Sequence, residues 1–317
     1  MLPIITITLN PAIDKSTIVN TLKAEKKMYC SPPAFEPGGG GVNVARAITK
    51  LGGESTALFL GGGYTGKFFE SLLNAEGQSF LAVPIAGHIR ENLTVFDNEM
   101  HRQYRFVMPG PSVEKYEWEH FIEVVSRVKD LSYIVASGSL PPGVPPSIFA
   151  SFSAIAGSKG ARFIADTSGE ALKEAIRSGA FLVKPSLNEL SIFAGKQLLT
   201  DHEIISVARE ITAGKKCNIV VVSMGEAGAM LVTKDMVTKI TAPPVMHKST
   251  VGAGDSMVGG IIYGLSMGKN ILEAVQFGVA CGTAATLNPG TGLCRQEDVQ
   301  RLYRKIRAMQ PVKQEVC

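Results

Sequence analysis

The sequence predicts a layered α/β protein with a mostly parallel central sheet and a second, small sheet projecting from it. Two observations carry this. Short β-rich apolar runs alternate with helix-length amphipathic stretches along most of the chain, the pattern of parallel strands joined by crossover helices. Two stretches, around 18–35 and 92–107, instead read as half-polar strands with no helix between them. The 317 residues, 45% hydrophobic and 19% charged, suffice for a full core, and a single domain spanning 1–317 is expected.

In order, run 4–9 alternates Ile4, Thr6 and Thr8 with Ile5, Ile7 and Leu9 and reads as a strand, followed by a helix at 42–51. The pair repeats at 56–60 and 67–76. Further strands fall at 133–136, 163–165, 181–183 and 219–222, each flanked by a helical stretch. Sites in such sheets gather at the carboxyl ends of strands. Asn10 to Asp14, Ser137 to Ser139, Asp166 and Lys184 all follow such an end. The small sheet, about 15–36 and 90–108, reads as a lid. Its uncovered apolar face needs a partner, so a homodimer through it is expected.

Net charge is +4, and Arg301, Arg304, Lys305 and Arg307 recur at helical spacing, which indicates a solvated helix face rather than a nucleic-acid site. The five cysteines show no paired or metal-type spacing, so a reduced cytoplasmic setting is expected. Neither a signal-peptide pattern nor an apolar run long enough for a membrane is evident.

The motif richest in chemistry is Ser249-Thr250-Val251-Gly252-Ala253-Gly254-Asp255-Ser256, which leads into an apolar helical run. Amides at a helix start, with the helix dipole, suit an anion. An aspartate beside them makes sense if it takes a proton from a hydroxyl while the amides stabilise the group attacked. That is phosphotransferase chemistry. Gly38 to Gly41 precede Asn43 at another helix start, where close backbone approach and a sugar-binding amide are expected. Gly61 to Gly66 fits a dinucleotide turn, but no acid ends the next strand. It fails as a P-loop too, because Phe68 replaces the hydroxyl residue. It is read as a strand-to-helix turn lining the sugar pocket. Ser186 and Glu189 have capping-box spacing, with Glu189 also placed near a metal-bound water. Ser139 follows a buried strand in a rigid turn, and Arg90 and Arg105 in the lid suit phosphate.

Read together, Gly38 to Asn43, Ser137 to Gly143, Lys184 to Glu189 and Thr250 to Asp255 make the chain resemble the ribokinase/PfkB sugar-kinase family over nearly its whole length. The resemblance implies a ribokinase-like three-layer α/β/α sandwich. Phe35-Glu36-Pro37, Tyr104-Arg105-Phe106-Val107-Met108-Pro109-Gly110 and Ser249-Thr250-Val251 bring it closest to members that phosphorylate the 1-hydroxyl of fructose 6-phosphate with ATP. Members acting on tagatose 6-phosphate or fructose 1-phosphate more often carry a lysine within the glycine run. The implied base is Asp255, with Gly252, Ala253 and Gly254 as anion hole. Asp14, Gly39, Gly40, Gly41, Asn43, Arg90, Asn92, Arg105 and Ser139 are implied at the sugar phosphate. Lys184, Ser186, Ser223, Gly225, Gly228 and Thr283 are implied at ATP, and Glu189 at Mg2+ through water. A K+ ion is implied among oxygens of Ser249, Val251, Ala285, Asn288 and Gly290. The chain departs from its relatives at Ser186, where the family has asparagine, and at Glu91, where the nearest members have glutamine. A silent sugar-phosphate or nucleotide sensor is the rival of another class.

Overall fold

The computed structural model describes residues 3–196, 200–214, 216–288, 290 and 292–309. In chain order, β1 (Ile4–Thr8) leads into β2 (Ala12–Val19) and β3 (Ala34–Gly38), then α1 (Gly40–Lys50), β4 (Thr56–Gly61), α2 (Gly63–Ala75) and β5 (Phe80–Pro84). Next come β6 (Arg90–Asp97), β7 (Arg102–Phe106), α3 (Lys115–Arg127), β8 (Tyr133–Ser137), α4 (Ile148–Ser158), β9 (Arg162–Asp166), α5 (Gly169–Arg177) and β10 (Ala180–Val183). They are followed by α6 (Leu187–Phe193), α7 (Asp201–Ala213), β11 (Cys217–Ser223), β12 (Ala229–Thr233) and β13 (Val237–Ile240). Three helices close the fold: α8 (Ala253–Ser266), α9 (Ile271–Ala285) and α10 (Gln296–Met309).

Among the described residues the strands form two sheets. The large one has nine strands in the order β13-β12-β11-β10-β9-β8-β1-β4-β5. It is parallel from β11 to β5, as the alternation predicts, with an antiparallel edge of β12 and β13 that the sequence pattern does not mark. No crossover helix separates those two strands, so the alternation has nothing to register there. One face packs under α3, α4, α5 and α7 through Phe121, Phe152, Leu172 and Ile211. The other packs under α1, α8, α9 and α10 through Ile48, Ile261, Phe277 and Leu302. These are the layers of an α/β/α sandwich.

All of β1 is buried, so its Ile/Thr alternation does not mark a wet face. Ile5 and Ile7 enter one helical layer and Ile4 the other. Thr8 turns its hydroxyl to accept the Val42 N–H at 2.7 Å, which satisfies a donor at the start of α1.

The small sheet has the order β3-β2-β6-β7. Its pairing begins at Ala12, opposite Gly38 and Arg90, earlier than the expected 15–36 boundary, and 20–33 contains no strand. Lys23, Glu25, Lys26, Lys27 and the pair Pro32-Pro33 disfavour one there. Ile13 and Ile89 root this sheet in a third apolar cluster with Val42, Phe59 and Phe69. Its outer strand β7 is exposed throughout, and Ile18, Tyr104, Phe106 and Val107 (60% exposed) leave apolar surface uncovered.

Gly61 to Gly66 is a strand-to-helix turn, with Gly62 capping α2. A side chain at Gly62 would strike the Ile85 and Gly87 carbonyls, so packing on the 85–88 loop accounts for its glycine. Arg301, Arg304, Lys305 and Arg307 are all exposed on α10. Cys30, Cys217, Cys281 and Cys294 are free, while Cys317 lies outside the described residues. Among the described residues no helix is long and apolar enough to cross a membrane.

Candidate active site

Adjacent parallel strands β1, β8, β9, β10 and β11 end side by side and deliver Asn10, Ser137, Asp166, Lys184 and Ser223 to one edge of the sheet. The start of α8 faces that edge. Gly252, its N-cap, has φ 72°, the left-handed conformation that a side chain disfavours, and a Cβ there would also meet Leu293 at 2.6 Å. A Cβ at Gly254 would lie 3.5 Å from Lys184 Nζ, so the lysine stands over the first turn of the helix.

A cavity of about 840 Å³ opens here. Ala253, Gly254 and Asp255 line it together with Lys184, Ser186, Glu189, Ser223, Gly225, Gly228 and Thr283, so every residue expected at the nucleotide meets in one place. Ser139 lines it too. Ala242, Pro243, Pro244, Val245 and Val279 add an apolar wall that no motif announced.

Burial raises the Asp255 carboxyl to about 7. The nearby Asp166 charge adds to this, while the Asn43 amide and Lys184 oppose it. Asp255 is therefore poised to accept a proton near neutral pH. Asp166 pairs with Lys184 at 3.1 Å, both largely buried. Burial raises the Asp166 carboxyl and Lys184 opposes it. Lys184 is pulled down by burial, but Asp166, Glu189 and Asp255 outweigh that and hold it above its ordinary value. Asp166 belongs to this centre, although sequence marked it only as a residue at a strand end.

The sugar-side residues divide into groups. Asp14, Asn92 and Arg105 line a smaller cavity between the small sheet and Val251 and Gly290. Asn92 Nδ2 donates to Asp14 Oδ1 at 2.9 Å. Burial raises Asp14, opposed by Asn92 and then Arg105. Arg90 donates from Nη1 to the Met108 carbonyl at 2.9 Å and from Nη2 to the Asn10 carbonyl at 3.1 Å. Its Nε is buried without a hydrogen-bond partner. Asn10 also donates to Ser139 Oγ at 3.1 Å, which links Arg90 and Ser139. Glu91 is exposed and, one residue from Arg90 and Asn92 on β6, points from the opposite face of the strand.

The glycine run is explained by the protein's own packing. A Cβ at Gly39 would meet Thr8 at 2.7 Å, one at Gly40 the Gly138 nitrogen at 2.6 Å, and one at Gly41 Thr8 Oγ1 at 2.6 Å. The close approach is between the start of α1 and the ends of β1 and β8. Asn43 is buried, and both ends of its amide have partners: Oδ1 accepts from Arg46 and Nδ2 donates to Asp255 Oδ2.

Ser186 and Glu189 form the capping box of α6. Ser186 Oγ accepts from the Glu189 N–H at 3.3 Å, and Glu189 Oε2 accepts from the Ser186 N–H at 2.7 Å. No cluster of three metal-ligating side chains occurs among the described residues. The Ser249 N–H donates to the Thr286 carbonyl at 3.3 Å, which sets that segment against the end of α9, Asn288 Nδ2 donates to the Leu293 carbonyl at 2.8 Å, and Val251 and Gly290 line the smaller cavity.

The pfkB family carbohydrate kinase profile matches residues 1–298. The chain is 43% identical over 304 residues to the ATP-dependent 6-phosphofructokinase isozyme 2 of Escherichia coli, covering 96% of this chain and 98% of that one. A 1-phosphofructokinase of Borreliella burgdorferi is 30% identical over 305 residues, 96% of this chain and 97% of the other. The crystal structure of phosphofructokinase-2 from Escherichia coli in complex with potassium superposes with a TM-score of 0.93 at 43% identity, over 96% of this chain and 99% of that one.

Proposed function

The chain belongs to the pfkB family of carbohydrate kinases, and from that premise we propose that it transfers the γ-phosphoryl group of ATP to the 1-hydroxyl of fructose 6-phosphate. The observation that carries this is the carboxylate of Asp255, set at the start of α8 on the wall of the nucleotide-sized cavity and raised to about 7. Asp255 accepts the hydroxyl proton as the oxygen attacks, while the first-turn amides at Gly252, Ala253 and Gly254, with Lys184, stabilise the charge on the phosphoryl group in transit. Asp14 and Asn92 orient sugar hydroxyls. Arg90, whose buried Nε–H has no hydrogen-bond partner, and Arg105 hold the phosphate.

Mg2+ fits as an ion held chiefly by phosphates and water with one or two carboxylates, because the cavity supplies Glu189 and Asp166 but no all-protein cage among the described residues. Bound there, it would neutralise the triphosphate. The carbonyl and hydroxyl oxygens of Ser249, Val251, Ala285, Asn288 and Gly290 are the donor set K+ prefers. The potassium complex of the Escherichia coli relative supports the assignment. The whole chain acts as one kinase domain, with the small sheet as its lid, and its free thiols suit the cytoplasm.

A coupled assay with ATP, Mg2+ and K+ on a panel of phosphosugars tests the reading. Fructose 6-phosphate gives the highest kcat/KM. Preference for tagatose 6-phosphate or fructose 1-phosphate would replace the substrate, and binding without turnover would make the protein a sensor. Glu91, the departure least suited to a sugar phosphate, points away from Arg90 and Asn92, which favours the phosphosugar reading. Arg105→Ala raises KM for the sugar phosphate about tenfold to a hundredfold and leaves KM for ATP near wild type. An unmoved sugar KM in both Arg90→Ala and Arg105→Ala would sink the phosphosugar assignment. The exposed apolar face of the lid further supports a homodimer through that sheet. Phe106→Glu then halves the mass seen by light scattering, and a mass that does not change counts against this interface.

A further inference from the structure

Arg46 has the largest fully buried side chain among the described residues, and the reaction outlined above makes no use of it. A buried guanidinium is tolerated when it is paired and hydrogen-bonded, and here each of its three nitrogens has a partner. Nε and Nη2 each donate to a carboxylate oxygen of Glu76 at 2.6 Å. Nη1 donates to the Pro37 carbonyl at 2.7 Å and to Asn43 Oδ1 at 3.0 Å. Glu36 Oε1 lies 3.9 Å from Nη2. Glu76 caps the end of α2 and Pro37 lies in β3, so one side chain ties α1 to both. Asn43 extends the chain of hydrogen bonds, with Nδ2 donating to Asp255 Oδ2 at 2.9 Å.

The direction of these bonds is forced. A guanidinium has donors and no acceptor, so the Asn43 atom facing it is the carbonyl oxygen. The amide nitrogen then faces Asp255, whose Oδ2 must accept, which leaves Oδ1 to take the proton. We propose that Arg46, held by Glu76, is a positioning residue for the kinase reaction, locking the Asn43 amide in the orientation that keeps Asp255 a proton acceptor. Without Arg46 the amide is free to turn and present its carbonyl, which stabilises a protonated Asp255 instead. The other charged groups facing Asp255 are Asp166 from β9, Lys184 beyond β10 and Asp14 from β2, and the variants below leave them in place.

This inference rests on Asp255 being the base, and its test is the pH dependence of turnover on whichever phosphosugar the protein accepts. Wild type should lose activity on the acid side with a midpoint near the value of about 7 for Asp255. Arg46→Met should raise that midpoint by about one pH unit and cut turnover at neutral pH about fivefold, with KM little changed. Glu76→Gln, which keeps one acceptor for Arg46, should move the midpoint the same way by less. If Arg46→Met does not fold, Glu76→Gln decides. A lower melting temperature with an unmoved acid limb overturns the positioning role, because that is what a purely structural residue would give. Turnover on no phosphosugar at all sinks the functional reading, and this inference with it.

Discussion

Asp255→Asn lowers turnover by about 10² to 10⁴ while KM for both substrates stays near wild type. The amide keeps the size of the carboxylate and can still meet Asn43, but it cannot take the hydroxyl proton. Positioning and the anion hole survive, so binding survives too. Steady-state kinetics with calorimetric binding separates the two, and near-normal turnover would remove Asp255 as the base. The same variant carries a stability signature. A carboxyl raised to about 7 in the folded protein but ordinary when unfolded binds more protons folded than unfolded between these values. Stability from this group is therefore lost as pH rises through that window. Asp255→Asn removes the penalty: its unfolding midpoint should exceed that of wild type in mildly alkaline buffer, with the advantage fading toward pH 4.

The parallel strands were legible because a strand covered on both faces writes a continuous apolar run, as in β8 and β10, and crossover helices separate one run from the next. The edge strands β12 and β13 lack that separation. Asp255 was legible because its chemistry sits within one short motif at a helix start. Asp166 was not: its meaning comes from Lys184, brought beside it by the parallel pairing of Val183 with Ala165, and no local pattern records that register. Arg46 was hidden in the same way. Inside an amphipathic helix it resembles any polar-face arginine, and only the fold brings Glu76 and the Asn43 oxygen within hydrogen-bond reach of it. The glycine run shows the reverse case. Its pattern was plain, but the surface it approaches is the protein's own β1 and β8 ends.

Lys184→Met should be the most damaging single substitution to the fold of the site. It leaves Asp166, whose side chain is 13% exposed, without the cation 3.1 Å away, and removes a positive charge set among Asp166, Glu189 and Asp255. Breaking such a buried pair from one side costs about 3–5 kcal/mol, far more than an exposed pair contributes. Denaturant unfolding at neutral pH reads this directly as a lower midpoint. The loss has a defined pH dependence. Without Lys184 the Asp166 carboxyl, already raised by burial, rises further, so the folded variant gains a proton before the unfolded chain does. The deficit should shrink as pH falls. Adding Asp166→Asn should recover part of it at neutral pH, since the buried Asp166 charge is then no longer left without its partner. Function should fail in parallel: Lys184 no longer opposes the rise of Asp255, which pushes the acid limb of turnover upward, and KM for ATP increases about tenfold or more with loss of a cation at the phosphates. A variant with wild-type unfolding midpoint and wild-type KM for ATP would show that the pair neither holds this edge of the sheet together nor faces the nucleotide.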